Sequence, residues 1–267
     1  MKVFIKLLVV FSFLPTVSLA NDFGFTNIDA SDADNLFEEF AATMSHTTIT
    51  GAKSKSKIFG FEFGITGGLT QADDISDLVE EALPGQGEEV KDLPFASLYG
   101  LVSFAGGITG EINFFPEVDV QGVKFNHLSL GGKFEITQYL KLPFSLAVRA
   151  FLVRSSLSIE QSSPFSSTVE IDQTQIGLHG IISKKIGPIE PYAAIGLAQA
   201  KGDIKAMGSA GTFFDTTFTA SEEVEVKASG LYTAVGVQAS LLIIKPGLEW
   251  VTMFGVSRYN LKLALSF

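Results

Sequence analysis

The 267-residue chain is acidic and contains no cysteine, with a formal charge of −10 at neutral pH. The lack of cysteine excludes disulfide cross-links, thiolate metal ligands and a cysteine nucleophile. The acidic balance argues against nucleic acid as a partner, because phosphate backbones attract basic surfaces. No motif in the sequence predicts a metal or a cofactor.

The first 20 residues have the pattern of a secretory signal peptide. Lys2 and Lys6 form a basic start, residues 7–14 are apolar, and Ser18 and Ala20 supply the small residues of a cleavage site. The apolar stretch is too short for a membrane-spanning helix, and a buried N-terminal strand is the alternative interpretation. The sequence therefore predicts secretion, with the signal peptide over residues 1–20.

Beyond this segment, apolar residues alternate with polar or small ones. In residues 127–137 and again in 257–267, one parity is apolar and the other is polar or small. Because successive side chains of a strand point to opposite faces, the pattern predicts strands with one apolar face. A soluble β-sandwich gives the same alternation. Here the apolar face of each strand is long and poor in charge, and the opposite face carries many glycine, alanine and serine residues. This combination favours a barrel whose apolar face is exposed to lipid.

Ten strands are predicted, and eight to twelve are compatible with the pattern. They cover residues 58–68, 95–104, 107–115, 125–137, 143–157, 168–184, 188–201, 224–241, 242–254 and 257–267. The links 69–94, 116–124, 158–167 and 202–223 then fall at one end, as the long external loops of outer-membrane barrels do. The expected fold is all-β, an antiparallel transmembrane β-barrel over residues 58–267.

A short amphipathic helix is predicted in the preceding segment, residues 21–57, together with a polar linker. Ser31 is a suitable N-cap, and the following apolar residues share one face. These residues are Leu36, Phe37, Phe40 and Met44. Two interpretations stay open, both with the helix at or in the barrel. The helix covers the periplasmic mouth or fills part of the lumen for packing, or it is a movable plug.

Eight charged residues point into the predicted lumen by parity. They are Glu62, Glu111, Lys133, Glu135, Arg149, Lys245, Glu249 and Lys262. Mutual ion pairs would satisfy these four acids and four bases, because unpaired buried charges are costly. The alternative is a selective polar path lined by the same residues. Ten strands and a helix leave little free bore, which argues against a general diffusion porin.

His127 and Ser129 share an inward face and form the arrangement closest to a catalytic site. Nucleophilic catalysis needs a base in reach of the hydroxyl and a third group that orients the base. Glu135 lies too far along the strand for that role. We therefore expect His127 and Ser129 to be hydrogen-bonded side chains that fill the barrel interior, and we expect no enzyme. A membrane-embedded hydrolase is kept as a remote alternative.

The C-terminal strand ends on an aromatic residue. Its apolar parity consists of Tyr259, Leu261, Leu263, Leu265 and Phe267. An alternating strand with a terminal phenylalanine resembles the end of outer-membrane barrels. This resemblance implies that the barrel-assembly machinery recognises the C-terminal strand.

A wider resemblance rests on residues 59–64 (FGFEFG), 187–196 (GPIEPYAAIG) and the closing strand. Together with the helix and linker, these motifs resemble a group of uncharacterised proteobacterial outer-membrane barrels of the porin-like or transport type. The resemblance covers most of the mature chain. It implies residence in the outer membrane, with lipid and lipopolysaccharide as partners, and it implies no catalytic or binding residues.

Two hypotheses of function follow. The first is a narrow or plugged channel or transporter for small or apolar solutes, with the N-terminal helix as plug. The second is a non-transporting structural or surface-binding barrel that acts through external loops, one of which carries Phe213, Phe214 and Phe218. A barrel alone does not separate these hypotheses, because function resides in particular sites and not in the fold.

Overall fold

The described part of the chain begins at residue 30. The computed structural model describes residues 30–54, 59–71, 73, 92–120, 123–137, 140, 142–161, 167–208, 212–213, 216–217 and 222–267. The predicted signal peptide, Phe214 and Phe218 lie outside these residues, and Phe213 is described by its backbone alone. Within these ranges, no helix combines the length and the apolar character needed to cross a bilayer.

Within the described residues, the structure contains an α-helix, a 3₁₀ turn at Ala105–Gly107, ten long strands and a small ribbon. Helix α1 spans Ala30–Thr43. The strands are β1 (Phe59–Gln71), β2 (Asp92–Phe104), β3 (Ile108–Val120), β4 (Val123–Glu135), β5 (Ser145–Gln161), β6 (Ser167–Ser183), β7 (Ile189–Gly208), β8 (Glu222–Ala239), β9 (Ile244–Met253) and β10 (Val256–Ser266). The ribbon, Thr212–Phe213 paired with Thr216–Thr217, lies between β7 and β8.

The ten strands close into an antiparallel barrel in chain order. The first and last strands pair from Glu62↔Ser266 to Thr70↔Arg258. Closure gives each of the ten strands two paired neighbours, which is the arrangement that membranes require of β-structure. The predicted fold class and the predicted number of ten strands are therefore confirmed.

The two mouths of the barrel differ in their connections. We call the mouth with links 72–91 and 209–221 the loop mouth. The opposite mouth, which carries link 105–107 and the C-terminal Phe267, is the turn mouth. Gly106 has a φ of 82° in that link, a conformation that glycine adopts without strain.

Several strands extend further toward the loop mouth than the sequence pattern predicts. The ladder of β3 continues to Val120 and that of β7 to Gly208, so much of the predicted links 116–124 and 202–223 is strand. Outward side chains become polar beyond the apolar part of the wall. The alternation of hydropathy therefore ends before the hydrogen bonding does.

The outer face of the barrel is apolar on every strand. Exposed large side chains include Phe63, Leu98, Ile112, Leu130, Leu152, Leu178, Leu197, Val235, Leu248 and Leu261. In the C-terminal stripe, Tyr259, Leu263 and Phe267 are each more than half exposed. Near the turn mouth the Phe267 ring stacks on that of Phe61, with ring centroids 5.2 Å apart. A soluble sandwich would bury this face, so that alternative is wrong.

Candidate functional site: the occupied lumen

The N-terminal segment of the chain fills the interior of the barrel. We call residues 30–54 the plug segment, which comprises α1 and the extended residues 44–54. Every residue from Glu39 to Ala52 is buried. The predicted helix therefore lies in the barrel and not across its periplasmic mouth.

The plug segment runs from the loop mouth to the turn mouth. Phe37 of α1 packs against Gly202, which lies near the loop-mouth end of β7. At the other end, the amide of Ser54 donates a 2.6 Å hydrogen bond to Glu135 at the end of β4. Ser54 therefore lies at the mouth where β1 begins.

Around α1 the lumen is lined by apolar side chains, and we call this part the apolar zone. The predicted plug residues Phe37, Phe40 and Met44 are buried here, and Leu36 is half-buried. The wall contributes Phe95, Phe125, Val153, Leu157, Ile171, Ile204 and Val226. Full burial of a side chain of this size contributes about 1.5–3 kcal/mol, so the three plug residues hold α1 against the wall.

Arg258 holds the end of α1 in place. Its Nη1 donates to the carbonyls of Ala42, Thr43 and Ser45 at 2.9, 2.9 and 3.3 Å, and its Nη2 donates to the hydroxyl of Thr47. The last carbonyls of a helix have no partner within it and carry partial negative charge. A buried guanidinium at this point therefore satisfies them and fixes where the helix ends.

A network of charges lies below α1, toward the turn mouth. We call it the charged zone, and its members are Glu62, Glu111, Lys133, Arg149, Glu249 and Lys262. All six are at most 6% exposed. Glu111 lies at its centre, because its carboxylate pairs with Arg149 Nε at 2.9 Å and with His46 Nε2 at 3.1 Å. Lys262 Nζ pairs with Glu62 at 3.1 Å.

The cations of the charged zone also bind the backbone of the plug segment. Lys262 donates to the carbonyl of Ile49 at 2.7 Å, and Lys133 donates to that of Gly51 at 2.7 Å. Arg149 Nη2 donates to the carbonyl of Thr50 at 3.4 Å and to its hydroxyl at 2.5 Å. The polar backbone of the extended residues would be costly to bury without such partners. The wall thus holds the plug segment by main-chain atoms along its length.

The remaining predicted lumen charges lie apart from this zone. Glu135 and Lys245 are half-buried near the turn mouth. Lys245 donates to the Ser240 hydroxyl at 2.6 Å, and Glu135 accepts from the Ser54 amide. Parity places a side chain on the inner face but does not give its depth along the barrel.

Two lumen residues were not predicted from the sequence: Arg258, which binds the end of α1, and His46 of the plug segment. Arg258 shares its parity with Lys262, so the alternation in β10 could have identified it. No pattern could have identified His46, because it lies in the segment that was predicted as linker. Its partners, Glu111 and Ser129, are far away in the chain.

Ser129 is paired with a histidine other than the expected one. His46 Nδ1 lies 2.8 Å from Ser129 Oγ, while His46 Nε2 contacts Glu111. The order of hydroxyl, imidazole and carboxylate is that of a hydrolase triad. Ser129 is 0% exposed, however, and its hydroxyl also donates to Asn113 at 3.3 Å. The arrangement joins the plug segment to β3 and β4.

His127 is buried beside Phe95 in the apolar zone. The two rings meet edge to face with centroids 6.0 Å apart, and His127 is 2% exposed. Neither ring nitrogen has a hydrogen-bond partner among the described residues. An unsatisfied buried polar group costs about 1–3 kcal/mol, so His127 is a candidate contact for a ligand.

The fold and the lumen define a class: a closed ten-stranded antiparallel barrel that is filled by its own N-terminal segment. Within that class the chain belongs to a family of unknown function, DUF6588, whose sequence profile matches residues 1–250. No curated protein matches the chain. The resemblance to uncharacterised barrels is thus confirmed at the level of an uncharacterised family.

Similar solved structures include three barrels. Ail, the attachment invasion locus protein of Yersinia pestis, is 11% identical, with 78% of this chain and 97% of Ail covered and a TM-score of 0.36. The translocator domain of autotransporter NalP from Neisseria meningitidis is 9% identical, with 80% and 90% covered and a TM-score of 0.42. The outer membrane protease OmpT from Escherichia coli is 10% identical, with 84% and 100% covered and a TM-score of 0.40. Such low values carry no assignment of function.

Proposed function

We propose that the protein is an outer-membrane barrel that transports small or apolar solutes and is closed at rest by its plug segment. The observation that carries the proposal is the path of residues 30–54, which fill the lumen from the loop mouth to the turn mouth. The segment precedes β1 in the chain and is not a strand of the wall. Its contacts with the wall are noncovalent, so it can move while the barrel stays closed as a sheet.

The outer surface supports the location in a membrane. Its exposed apolar side chains form a continuous face that a water-soluble monomer would not tolerate. Trp250 and Tyr259 are neighbours on this face, and such residues are favoured where lipid meets water. The predicted signal peptide, residues 1–20, supports export. Outer-membrane lipid, lipopolysaccharide and the barrel-assembly machinery are the partners that such a location implies.

A disulfide between plug and wall tests the closed state. The chain has no native cysteine, and Ser45 Oγ lies 3.8 Å from Met253 Sδ of β9. The variant Ser45→Cys/Met253→Cys is studied in planar bilayers. We expect transient channel openings when its thiols are reduced, and openings at least about tenfold less frequent when the disulfide has formed. A tenfold change corresponds to about 1.4 kcal/mol.

The matched control is a disulfide within the wall. Ser103 and Thr109 are paired on β2 and β3, with their hydroxyl oxygens 3.1 Å apart. Oxidation of Ser103→Cys/Thr109→Cys should leave the openings unchanged. If folded protein passes neither ions nor apolar probes in either redox state, the transport proposal is wrong.

A non-transporting surface barrel is the second candidate. The observation in its favour is the height of the β7–β8 hairpin, whose ladder continues to Glu222↔Ala206 near the loop mouth. Exposed polar strands of this kind present a surface for envelope components or other cells. Deletion of residues 209–221 should abolish binding if this candidate is right and leave conductance unchanged if transport is right.

The hydrolase alternative makes a separate prediction about Ser129. Because Ser129 is buried under the plug segment, we expect no reaction of the native protein with a fluorophosphonate probe. Mass spectrometry of the labelled protein provides the measurement, with Ser129→Ala as control. Stoichiometric labelling at Ser129 would show that the hydroxyl is an accessible nucleophile and would restore the enzyme hypothesis.

A further inference from the structure

The ladder between β2 and β3 covers only part of the two strands. Each strand has 13 residues, but the pairing extends only from Leu98↔Phe114 to Ser103↔Thr109. On its other side β2 pairs with β1 along its whole length, as far as Gln71↔Asp92. In the backbone ladders, residues 92–97 are therefore paired with β1 alone among the described strands, and Ser97 Oγ accepts a 3.4 Å side-chain hydrogen bond from Asn113 of β3. We call this incomplete stretch of wall the seam.

Two prolines in the sequence account for the seam. Pro94 lies in β2 and Pro116 in β3, and proline has no N–H for a ladder. Prolines in sheets are accordingly confined to edges and bulges. The β3–β4 ladder also shifts its register between Phe115 and Val118, beside Pro116. A bulge bends the strand that carries it, so β3 has a physical reason to diverge from β2 here.

The seam lies at the height of apolar side chains on the outer face. Pro94 is paired with Leu69, which is paired in turn with Tyr259 of β10. Leu69 is 48% exposed and Tyr259 is 54% exposed. A molecule that passed through the seam would therefore move between the lumen and the apolar surroundings of the barrel.

The inner side of the seam faces the apolar zone. Phe95 of β2 packs there against Phe40 and Met44 of the plug segment, with Phe125 of β4 beside them. His127 is buried against Phe95, and both of its ring nitrogens lack a hydrogen-bond partner within the described part of the chain. The lining is aromatic and thioether in character, with the His127 ring and the Arg258 guanidinium, 5.5 Å from the Phe95 ring centroid, as polar groups. Such a lining suits a small, mainly apolar solute.

The charged zone closes the other route. A solute that enters at the loop mouth and passes α1 would next meet Glu111, Arg149 and Lys262 on its way to the turn mouth. An apolar molecule cannot replace the hydrogen bonds and ion pairs of these groups, so passage through them is unfavourable. For an apolar solute in the apolar zone, passage through the wall is therefore more favourable than passage through the charged zone to the turn mouth.

We propose that the seam between β2 and β3 is a lateral route by which small apolar solutes pass between the apolar zone and the membrane when Phe40 and Met44 move aside. This inference rests on the proposed transport function and specifies its route and its class of substrate. The plug segment closes the route from inside, because its two apolar side chains occupy the space behind the seam.

A disulfide across the seam tests the route in the full-length protein. Ser97 and Phe115 are the next positions in the register of the β2–β3 ladder, so Ser97→Cys/Phe115→Cys extends the pairing by one step. The probe is 1-N-phenylnaphthylamine, an apolar amine that fluoresces in lipid and that an intact lipopolysaccharide layer excludes. In Gram-negative cells that express the protein, we expect oxidation of this pair to lower protein-dependent uptake of the probe at least tenfold and reduction to restore it.

The outcomes separate the seam from the proposed function. The Ser103→Cys/Thr109→Cys disulfide, in the paired half of the same strands, should leave uptake unchanged. If the plug–wall disulfide stops uptake and the seam disulfide does not, the seam proposal is overturned while transport stands. If no variant takes up more probe than cells without the protein, both proposals are overturned. A short bismaleimide cross-linker between the same two thiols gives the same lock where oxidation is incomplete.

Discussion

Replacement of Arg258 with methionine is expected to release α1 from the wall. Methionine keeps much of the side-chain volume but donates no hydrogen bond to the carbonyls of Ala42, Thr43 and Ser45. A hydrogen bond to a charged group contributes about 1.5–3 kcal/mol, and 1.4 kcal/mol is a tenfold change in an equilibrium. The undocked fraction of the plug segment should therefore rise at least about tenfold.

The reaction rate of a single introduced cysteine measures this fraction. Ser45 is 0% exposed, so Ser45→Cys reacts with N-ethylmaleimide only when the plug segment leaves the wall. The rate should rise at least tenfold with Arg258→Met and by less with Arg258→Lys, which keeps the charge. Arg154→Met, at an exposed position on β5, is the matched control and should not change the rate. An unchanged rate in Arg258→Met would show that Arg258 does not anchor the plug segment.

The second large effect is expected from Glu111→Gln. Glutamine has nearly the same shape, but it removes the charge that compensates Arg149, whose Nε lies 2.9 Å from the carboxylate. Removal of one partner from a buried ion pair leaves the other charge uncompensated, at a cost of about 3–5 kcal/mol. We expect a fall of that size in the free energy of unfolding, measured by urea titration in lipid vesicles.

Glu249→Gln is the matched control for the loss of a buried carboxylate. Glu249 accepts from the neutral donors Tyr192 and Asn260, at 2.7 and 3.1 Å. The amide oxygen of glutamine can still accept from one of them, and Glu249 forms no ion pair within 4 Å among the described residues. Its charge acts on Lys262 and Arg258 only from a longer distance, so we expect a smaller loss than for Glu111→Gln. Equal losses for the two substitutions would mean that the Glu111–Arg149 pair adds nothing beyond ordinary hydrogen bonding.

The period of the apolar residues predicted most of the barrel wall. The stripe Tyr259, Leu261, Leu263 and Phe267 faces outward as expected, and the number of strands is as predicted. Most strand ends at the loop mouth were predicted too short, and only β9 was predicted one residue too long there. Hydrogen bonding between strands continues where the outward residues are polar, and hydropathy does not report it.

The lumen was predictable in composition but not in contacts. Parity placed six buried charges on the inner face, and the amphipathic pattern of the plug segment placed Phe37, Phe40 and Met44 against the wall. Contacts such as Arg258 with Ala42 join residues that are far apart in the chain. Only closure of the barrel brings them together, because it fixes which inner faces meet and at what depth.

The sequence by itself determined the strands, the apolar outer face, the charged inner face and the presence of an N-terminal amphipathic helix. Each of these follows from a local repeat, of two residues in a strand or 3.6 in a helix. Only the tertiary structure decided that the helix lies inside the barrel near the loop mouth, that its end is held by Arg258, and that the wall is incomplete between β2 and β3. These features depend on register and closure, which couple distant residues and leave no periodic pattern in the chain.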